Sequence, residues 1–253
     1  MAKTSKKAAD RRAVVEQLRK EQQRKERRQG LLVVGAAVLV GAIIIGFAAW
    51  QLVKANKDAG RDLNAIGLST SAAQCQPVQK HKPEGQEKSG TNGNHVNTGT
   101  PITYRFSPPA FGQHWPNYLQ GAELRSFYTT DDRPEVERLV HSLEHGYTIL
   151  WYDQTIADDS EALADVQSIA KKFPDPSSLD QHFIAAPWTS KDGDPFPDGT
   201  HVALTHWSVG GEGGSQAKDQ AGVWEYCGGV SGAAVEQFRK DYPPLDAPEA
   251  GAS

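Results

Sequence analysis

The sequence predicts an α+β fold: one extracytoplasmic domain with a small mixed or antiparallel sheet and a few helices, preceded by one transmembrane helix. Three observations carry this. An uncharged run of 20 residues, Leu31–Trp50, follows a basic N-terminus. Two cysteines, Cys75 and Cys227, bracket most of what comes after it. Between them, short apolar runs alternate with segments of helical periodicity, the pattern of sheet and helices sharing one core. The chain divides into a cytoplasmic basic arm (1–30), a signal anchor (31–53), a stalk (54–74), the domain (75–242) and a disordered tail (243–253).

At about 1.5 Å per residue the run spans roughly 30 Å, the thickness of a bilayer's hydrocarbon core. Trp50 sits where an interfacial aromatic belongs. A core helix would carry a polar stripe over that length. A cleaved signal peptide would have a shorter apolar region and an A-x-A-like site, which Ala48-Ala49-Trp50 does not match. Residues 1–30 hold 11 Lys and Arg, whereas Lys54, Lys57 and Arg61 follow the span. That bias places the N-terminus in the cytoplasm and residues 54–253 outside. The expected localisation is therefore the cell membrane, single-pass, with envelope proteins as unidentified partners.

Charge is unevenly spread. Residues 1–30 carry 11 basic and 4 acidic side chains, and the remainder 27 − 11 = 16 basic against 31 − 4 = 27 acidic. An acidic domain lacks the basic face that nucleic acid requires, so no nucleic-acid partner is expected. Two Cys exclude a disulfide-dense scaffold, a four-cysteine zinc site and an ordinary iron–sulfur cluster. On the exported side, two Cys without a C-x-x-C spacing predict one structural disulfide, Cys75–Cys227.

Within the domain, Pro101–Phe106 alternates as a half-buried strand, and Leu124–Tyr128 is a weaker strand candidate. Tyr147–Tyr152 is nearly all apolar and suits a central strand. Phe183–Ala186 and Val202–Trp207 are further strands. Asp132 can cap a helix over Pro134–His145, stopped by Gly146. Asp158-x-x-Glu161 resembles a capping box for Ser160–Phe173, and Ser231 can cap Gly232–Tyr242. Residues 79–94 read as an exposed loop rich in Gly, Lys and Glu.

The histidines suggest chemistry. His141 and His145 flank Ser142-Leu143-Glu144 in an H-x-x-E-H pattern. With His141 at 0° and about 100° per residue, His145 falls near 40° and Glu144 near 300°, while Val136, Leu139, Val140 and Leu143 fall between about 160° and 260°. The pair therefore lies opposite the apolar stripe and faces water or something laid over the helix. Pro108–Trp115 is a stiff loop able to bring His114 there, and His95 sits on a turn. Converging neutral imidazoles suit a Zn or Cu ion, so His95, His114, His141 and His145, or a subset, form the candidate metal site. Glu144 could ligate, accept an imidazole N–H, or act as a base; accepting the N–H is favoured, because a ligating His needs an acceptor on its other nitrogen. His201 and His206 are five apart on a strand and face opposite ways, so they and His182 are assigned structural or surface roles.

H-x-x-E-H also occurs in a class of zinc proteases whose site a distant Glu completes. Glu212 and Glu225 are the downstream candidates, and neither lies on a convincing helix. A serine hydrolase fits less well, because Gly229-Val230-Ser231-Gly232-Ala233 lacks the final Gly of G-x-S-x-G. Three readings remain: metal binding without catalysis, an envelope interaction or structural domain without metal, and a metal-dependent hydrolase with Glu144 as the catalytic base.

The P-P-x-x-G-x-H-W loop (Pro108, Pro109, Gly112, His114, Trp115) followed by H-S-L-E-H-G (His141–Gly146) resembles a bacterial family known only as domain of unknown function 3105. Ala110-Phe111 and Gln113 depart from that family's usual Thr-Ser and Pro. The resemblance covers roughly residues 70–210 and implies a membrane-anchored architecture without implying an activity.

Overall fold

The computed structural model describes residues 38–47, 60–211 and 219–252. The chain forms two compact units, Met1–Lys57 and Asp58–Ser253. In the first, residues 38–47 form a helix, α1, whose seven large apolar side chains are 56–71% exposed. Among the described residues no helix is long and apolar enough to cross a membrane. The rest of the expected span, and the basic arm, lie outside the described residues.

The second unit is the α+β domain. Its sheet comprises β1 (Gln79–His81), β2 (Thr148–Tyr152), β3 (Phe183–Pro187), β4 (Val202–Ser208) and β5 (Ala221–Cys227), in the order β1-β5-β4-β2-β3. β2 and β3 run parallel and the other pairs antiparallel, so the sheet is mixed. Its helices are α2 (Val136–Glu144), α3 (Gln154–Asp158), α4 (Ser160–Ala170) and α5 (Gly232–Asp241).

Both faces of the sheet are covered, which explains why β2, β3 and β4 are buried at every position. Leu150, Tyr152, Phe183, Leu204 and Val223 point to one face, against Val166 and Ile169 of α4 and Val235 and Phe238 of α5. Ile149, Trp151, Ile184, Trp207 and Trp224 point to the other, against Val136, Leu139, Val140 and Leu143 of α2 and against Phe111. The apolar stripe of α2 thus seats the helix on the sheet and leaves its polar edge outward.

Several sequence expectations need correction. Pro101–Phe106 forms no strand; it is irregular chain, and Phe106 stacks on His81 at a centroid distance of 4.6 Å. Leu124–Tyr128 contributes a single parallel bridge, Phe127 to Ala185. β5 is an addition to the expected strands, with Gly222 and Glu225 interrupting its apolar residues. Gly222 has a packing reason: a Cβ there would stand 2.2 Å from the Phe111 ring. Asp132 does not cap α2; it accepts from the Thr129 N–H and hydroxyl in the preceding turn. α4 is capped by Asp159 rather than Asp158, which ends α3. Ser231 caps α5 as expected, accepting from Ala234 N–H.

The boundaries shift as well. Residues 60–74, assigned to a stalk, belong to the folded unit: Ile66 is buried, Leu68 N–H donates to Val230 O, and Gly232 N–H donates to Ile66 O. The exposed loop 79–94 contains edge strand β1 and the buried Asn94. The tail, expected to be disordered, packs back on the domain through 252: Asp246 and Ala247 are buried, and Glu249 N–H donates to Glu144 O at 2.9 Å. Gly146 ends α2 with φ +95°, and a Cβ there would meet Pro244 O at 2.2 Å, so the missing side chain lets the tail cross this helix end.

Cys75 and Cys227 are bonded, closing a loop across 152 positions from the segment before β1 to the end of β5. Replacing both with Ser is expected to lower stability by about 2–5 kcal/mol, because the unfolded chain regains the freedom the cross-link removes. Urea unfolding of the full-length protein measures this, and an unchanged midpoint would contradict it.

Candidate functional site

The site lies on the polar edge of α2. Its base is fixed by the apolar seating of the helix, which turns His141, Glu144 and His145 away from the sheet. The loop 107–115 lies over them, held from below by the sheet. Trp224 Nε1 donates to Pro108 O at 2.7 Å and Tyr226 hydroxyl to Ser107 O at 3.0 Å. Phe111 packs among Phe106, Trp207 and Trp224. Trp115 is buried and donates Nε1 to Thr100 O at 2.9 Å. The two departures from the family pattern are accommodated here: Phe111 fills the space over Gly222, and Gln113 donates to Gly93 O at 2.6 Å and to Gln86 Oε1 at 3.1 Å.

Backbone pairing brings His95 to the same place. His114 N–H donates to Asn94 O at 3.0 Å and Val96 N–H to His114 O at 2.9 Å, so the two histidines sit side by side. Ring centroids are 4.7 Å apart for His95 and His114, 4.6 Å for His114 and His141, and 5.1 Å for His95 and His141. One ligand-capable atom from each of His95, His114, His141 and Glu144 lies within 4.8 Å of the others. His114, His141 and Glu144 are buried, and the His95 side chain is 45% exposed.

Hydrogen bonds fix which nitrogens face inward. His114 Nδ1 lies 2.8 Å from Gly112 O, and His141 Nδ1 2.7 Å from Trp115 O. A carbonyl only accepts, so each Nδ1 carries the proton it donates and, in the neutral ring, each Nε2 keeps its lone pair. His114 Nε2 stands 2.8 Å from Glu144 Oε2, and His95 Nε2 stands 3.7 Å from the same oxygen. Neither His114 Nε2 nor Glu144 Oε2 completes an aligned hydrogen bond, although both are buried. Lone pairs converging in a dry site require a cation or a proton between them.

With a proton in that position, the charges favour the carboxylate. Burial would push the Glu144 carboxyl up, but contact with a positively charged His114, together with Asn94, brings it down to about 2. Asn94 Nδ2 donates to Glu144 Oε1 at 3.2 Å. Burial, then the charge of His114, lowers His141 to about 3, and so keeps its ring neutral at ordinary pH.

His145 falls outside this group of four. Its Nε2 is 3.8 Å from Glu249 Oε2, and its ring lies against His141 and Tyr118 at centroid distances of 4.6 and 5.2 Å. Glu144 stands inside the ligand group, where sequence reasoning favoured an acceptor of an imidazole N–H; the backbone carbonyls of Gly112 and Trp115 fill that role instead. Of the downstream carboxylates, Glu225 lies beside Cys75 and Cys227, and Glu212 is outside the described residues. Glu249, which the sequence assigned to a disordered tail, is the one that meets the cluster. No local signal marks it, because its partners are about a hundred residues away.

The remaining histidines have structural partners. His206 is fully buried, with Nε2 donating to Asp246 O at 2.7 Å. His201 Nδ1 meets Asp153 Oδ2 at 2.8 Å. His182 stacks on Tyr147 at 4.0 Å and donates Nδ1 to His145 O at 3.1 Å.

Burial lowers His182 from 6.5 to about 4, so the folded protein holds it neutral where the unfolded chain protonates it. The sign is therefore fixed: its contribution is complete above pH 6.5 and is lost as pH falls from there toward about 4. Urea midpoints of the wild type should fall on acidification across that window, and less steeply in His182→Gln. Parallel curves for the two proteins would contradict this role.

Comparison with curated proteins finds no match, and neither does comparison with solved structures. A family model described as "Protein of unknown function (DUF3105)" matches residues 95–252, a stretch that opens on His95 and contains the rest of the cluster and the returning tail. The chain belongs to that family.

Proposed function

We propose that the protein binds a divalent transition-metal ion, Zn²⁺ or Cu²⁺, through His95, His114, His141 and Glu144, and presents this site outside the membrane that anchors it. The observation that carries the metal reading is the convergence of His95, His114, His141 and Glu144, with one ligand-capable atom of each within 4.8 Å of the others and three of the four residues buried. An ion bound at about 2.0–2.1 Å from each ligand in tetrahedral geometry holds its donor atoms roughly 3.3 Å apart, so His114 Nε2 and Glu144 Oε2 would separate slightly to admit it. Two of the imidazoles are already held in the tautomer that coordinates, through carbonyls that orient the rings. Three imidazoles and a carboxylate form a borderline donor set, which suits Zn²⁺ or Cu²⁺ better than Mg²⁺ or Ca²⁺.

The anchor reading rests on the uncharged run Leu31–Trp50, the excess of basic residues before it, and the exposed apolar side chains of α1. A disulfide suits an oxidising compartment and so supports an external domain. Binding is favoured over hydrolysis because Glu144 sits within the donor set rather than beyond it as a free base.

Full-length protein stripped with chelator and returned to Zn²⁺ should bind the ion and gain thermal stability. At about 100 times Kd the gain is about 2.7 kcal/mol. His114→Ala and His141→Ala should each abolish both effects at this site. Unchanged metal content in the two variants, or none in the wild type, would overturn the reading.

A further inference from the structure

We propose that a second divalent cation binds beside the first, held by Glu144, His145 and Glu249, so that Glu144 bridges a two-ion centre closed by the C-terminal tail. This rests on the reading of the first site, and extends it to residues that site does not use. One ligand-capable atom from each of Glu144, His145 and Glu249 lies within 4.8 Å of the others, with His145 Nε2 at 3.8 Å from Glu249 Oε2. Because Glu144 belongs to both groups, two ions sharing its carboxylate would stand at about the 3.5–4 Å spacing of two-metal centres.

Glu249 is brought here by construction. Three residues upstream, Asp246 is buried and fastened on every side: Ser208 hydroxyl donates to Oδ2 at 2.7 Å, and the N–H groups of Val209 and Gly211 donate to Oδ1 at 3.0 and 2.6 Å. His206 Nε2 donates to Asp246 O at 2.7 Å. Glu249 N–H then donates to Glu144 O at 2.9 Å, which sets the two carboxylate-bearing residues side by side.

The charge arrangement asks for a cation. Glu144 is the last residue of α2, and Glu249 is bound to its carbonyl, so two carboxylates gather at the negative end of a helix dipole. A divalent ion would satisfy all three groups at once.

The three protein ligands would leave coordination positions open, and a cavity of about 350 Å³ reaches one of them, His145. Tyr118, Ser142, His145, Tyr147, His182 and Ala252 are among its lining residues. With the Glu249 side chain 44% exposed, the second ion would be open to water or to a small oxyanion. Two carboxylates and one imidazole suit Zn²⁺ or Mn²⁺.

The test is Zn²⁺ stoichiometry of the full-length protein after chelator treatment. Wild type should hold two ions per chain, Glu249→Gln and His145→Ala one each, and His114→Ala should lose the ion of the first site. Glu249→Gln keeps the backbone N–H that pins the tail, so its fold is the less perturbed of the two. Loading with Cu²⁺ gives a second readout, since ions at that spacing couple magnetically: the wild-type resonance should be that of a coupled pair and that of Glu249→Gln a single ion. One ion in the wild type, sensitive to His114→Ala and indifferent to Glu249→Gln, would overturn the second site and leave the first. No ion in the wild type would overturn both. Two ions with an uncoupled spectrum would place the second elsewhere and overturn the bridge.

Discussion

A carboxylate removed from water governs the arrangement around it. Glu144 is 1% exposed, at the end of a helix whose other side is committed to the sheet. A buried carboxylate is tolerable only with charge and hydrogen bonds supplied from close by. Those come from chain segments far apart in sequence: Asn94 before the loop and His114 within it. The loop contributes a group this side chain needs, whereas the tail is fastened at Asp246 and adds a second carboxylate beside it.

The sheet makes such concentration workable. With apolar cover on both faces, its stability does not rely on the polar edge of α2. Trp224 and Tyr226 do both jobs, with rings in the core and polar tips fastening the loop that carries His114. The site is therefore built on rigid elements, and its supporting hydrogen bonds run to backbone carbonyls that substitution of neighbouring side chains would leave in place.

Much of this was legible in the sequence where the information is local. The helical wheel of α2 separated Leu139, Val140 and Leu143 from His141, Glu144 and His145, and a single apolar stripe leaves little freedom about which side meets the sheet. The proline-rich loop was recognisable as a cover for the helix, because its stiffness and Trp115 are properties of contiguous residues. The rest depended on distant partners. Glu249 lies in a Pro- and Ala-rich tail with no periodicity, and its order comes from Asp246 meeting Ser208 and His206. β5 carries Gly222 and Glu225, which break any apolar pattern, and the reason for the glycine is a ring from another segment. The cap of α4 was displaced by one residue because α3 ends immediately before it, a crowding that propensity alone does not register.

The unequal exposure of the four donors has a kinetic consequence. Three are enclosed, while His95 stands at the edge on the strength of two backbone hydrogen bonds between its neighbours and the loop. An ion seated among them would be gripped by the enclosed three and would enter or leave past the fourth. Residence time and equilibrium affinity would then answer to different residues. The turn bearing His95 would act as a latch on the rate of exchange, and the depth of the well would be set by the helix and loop behind it.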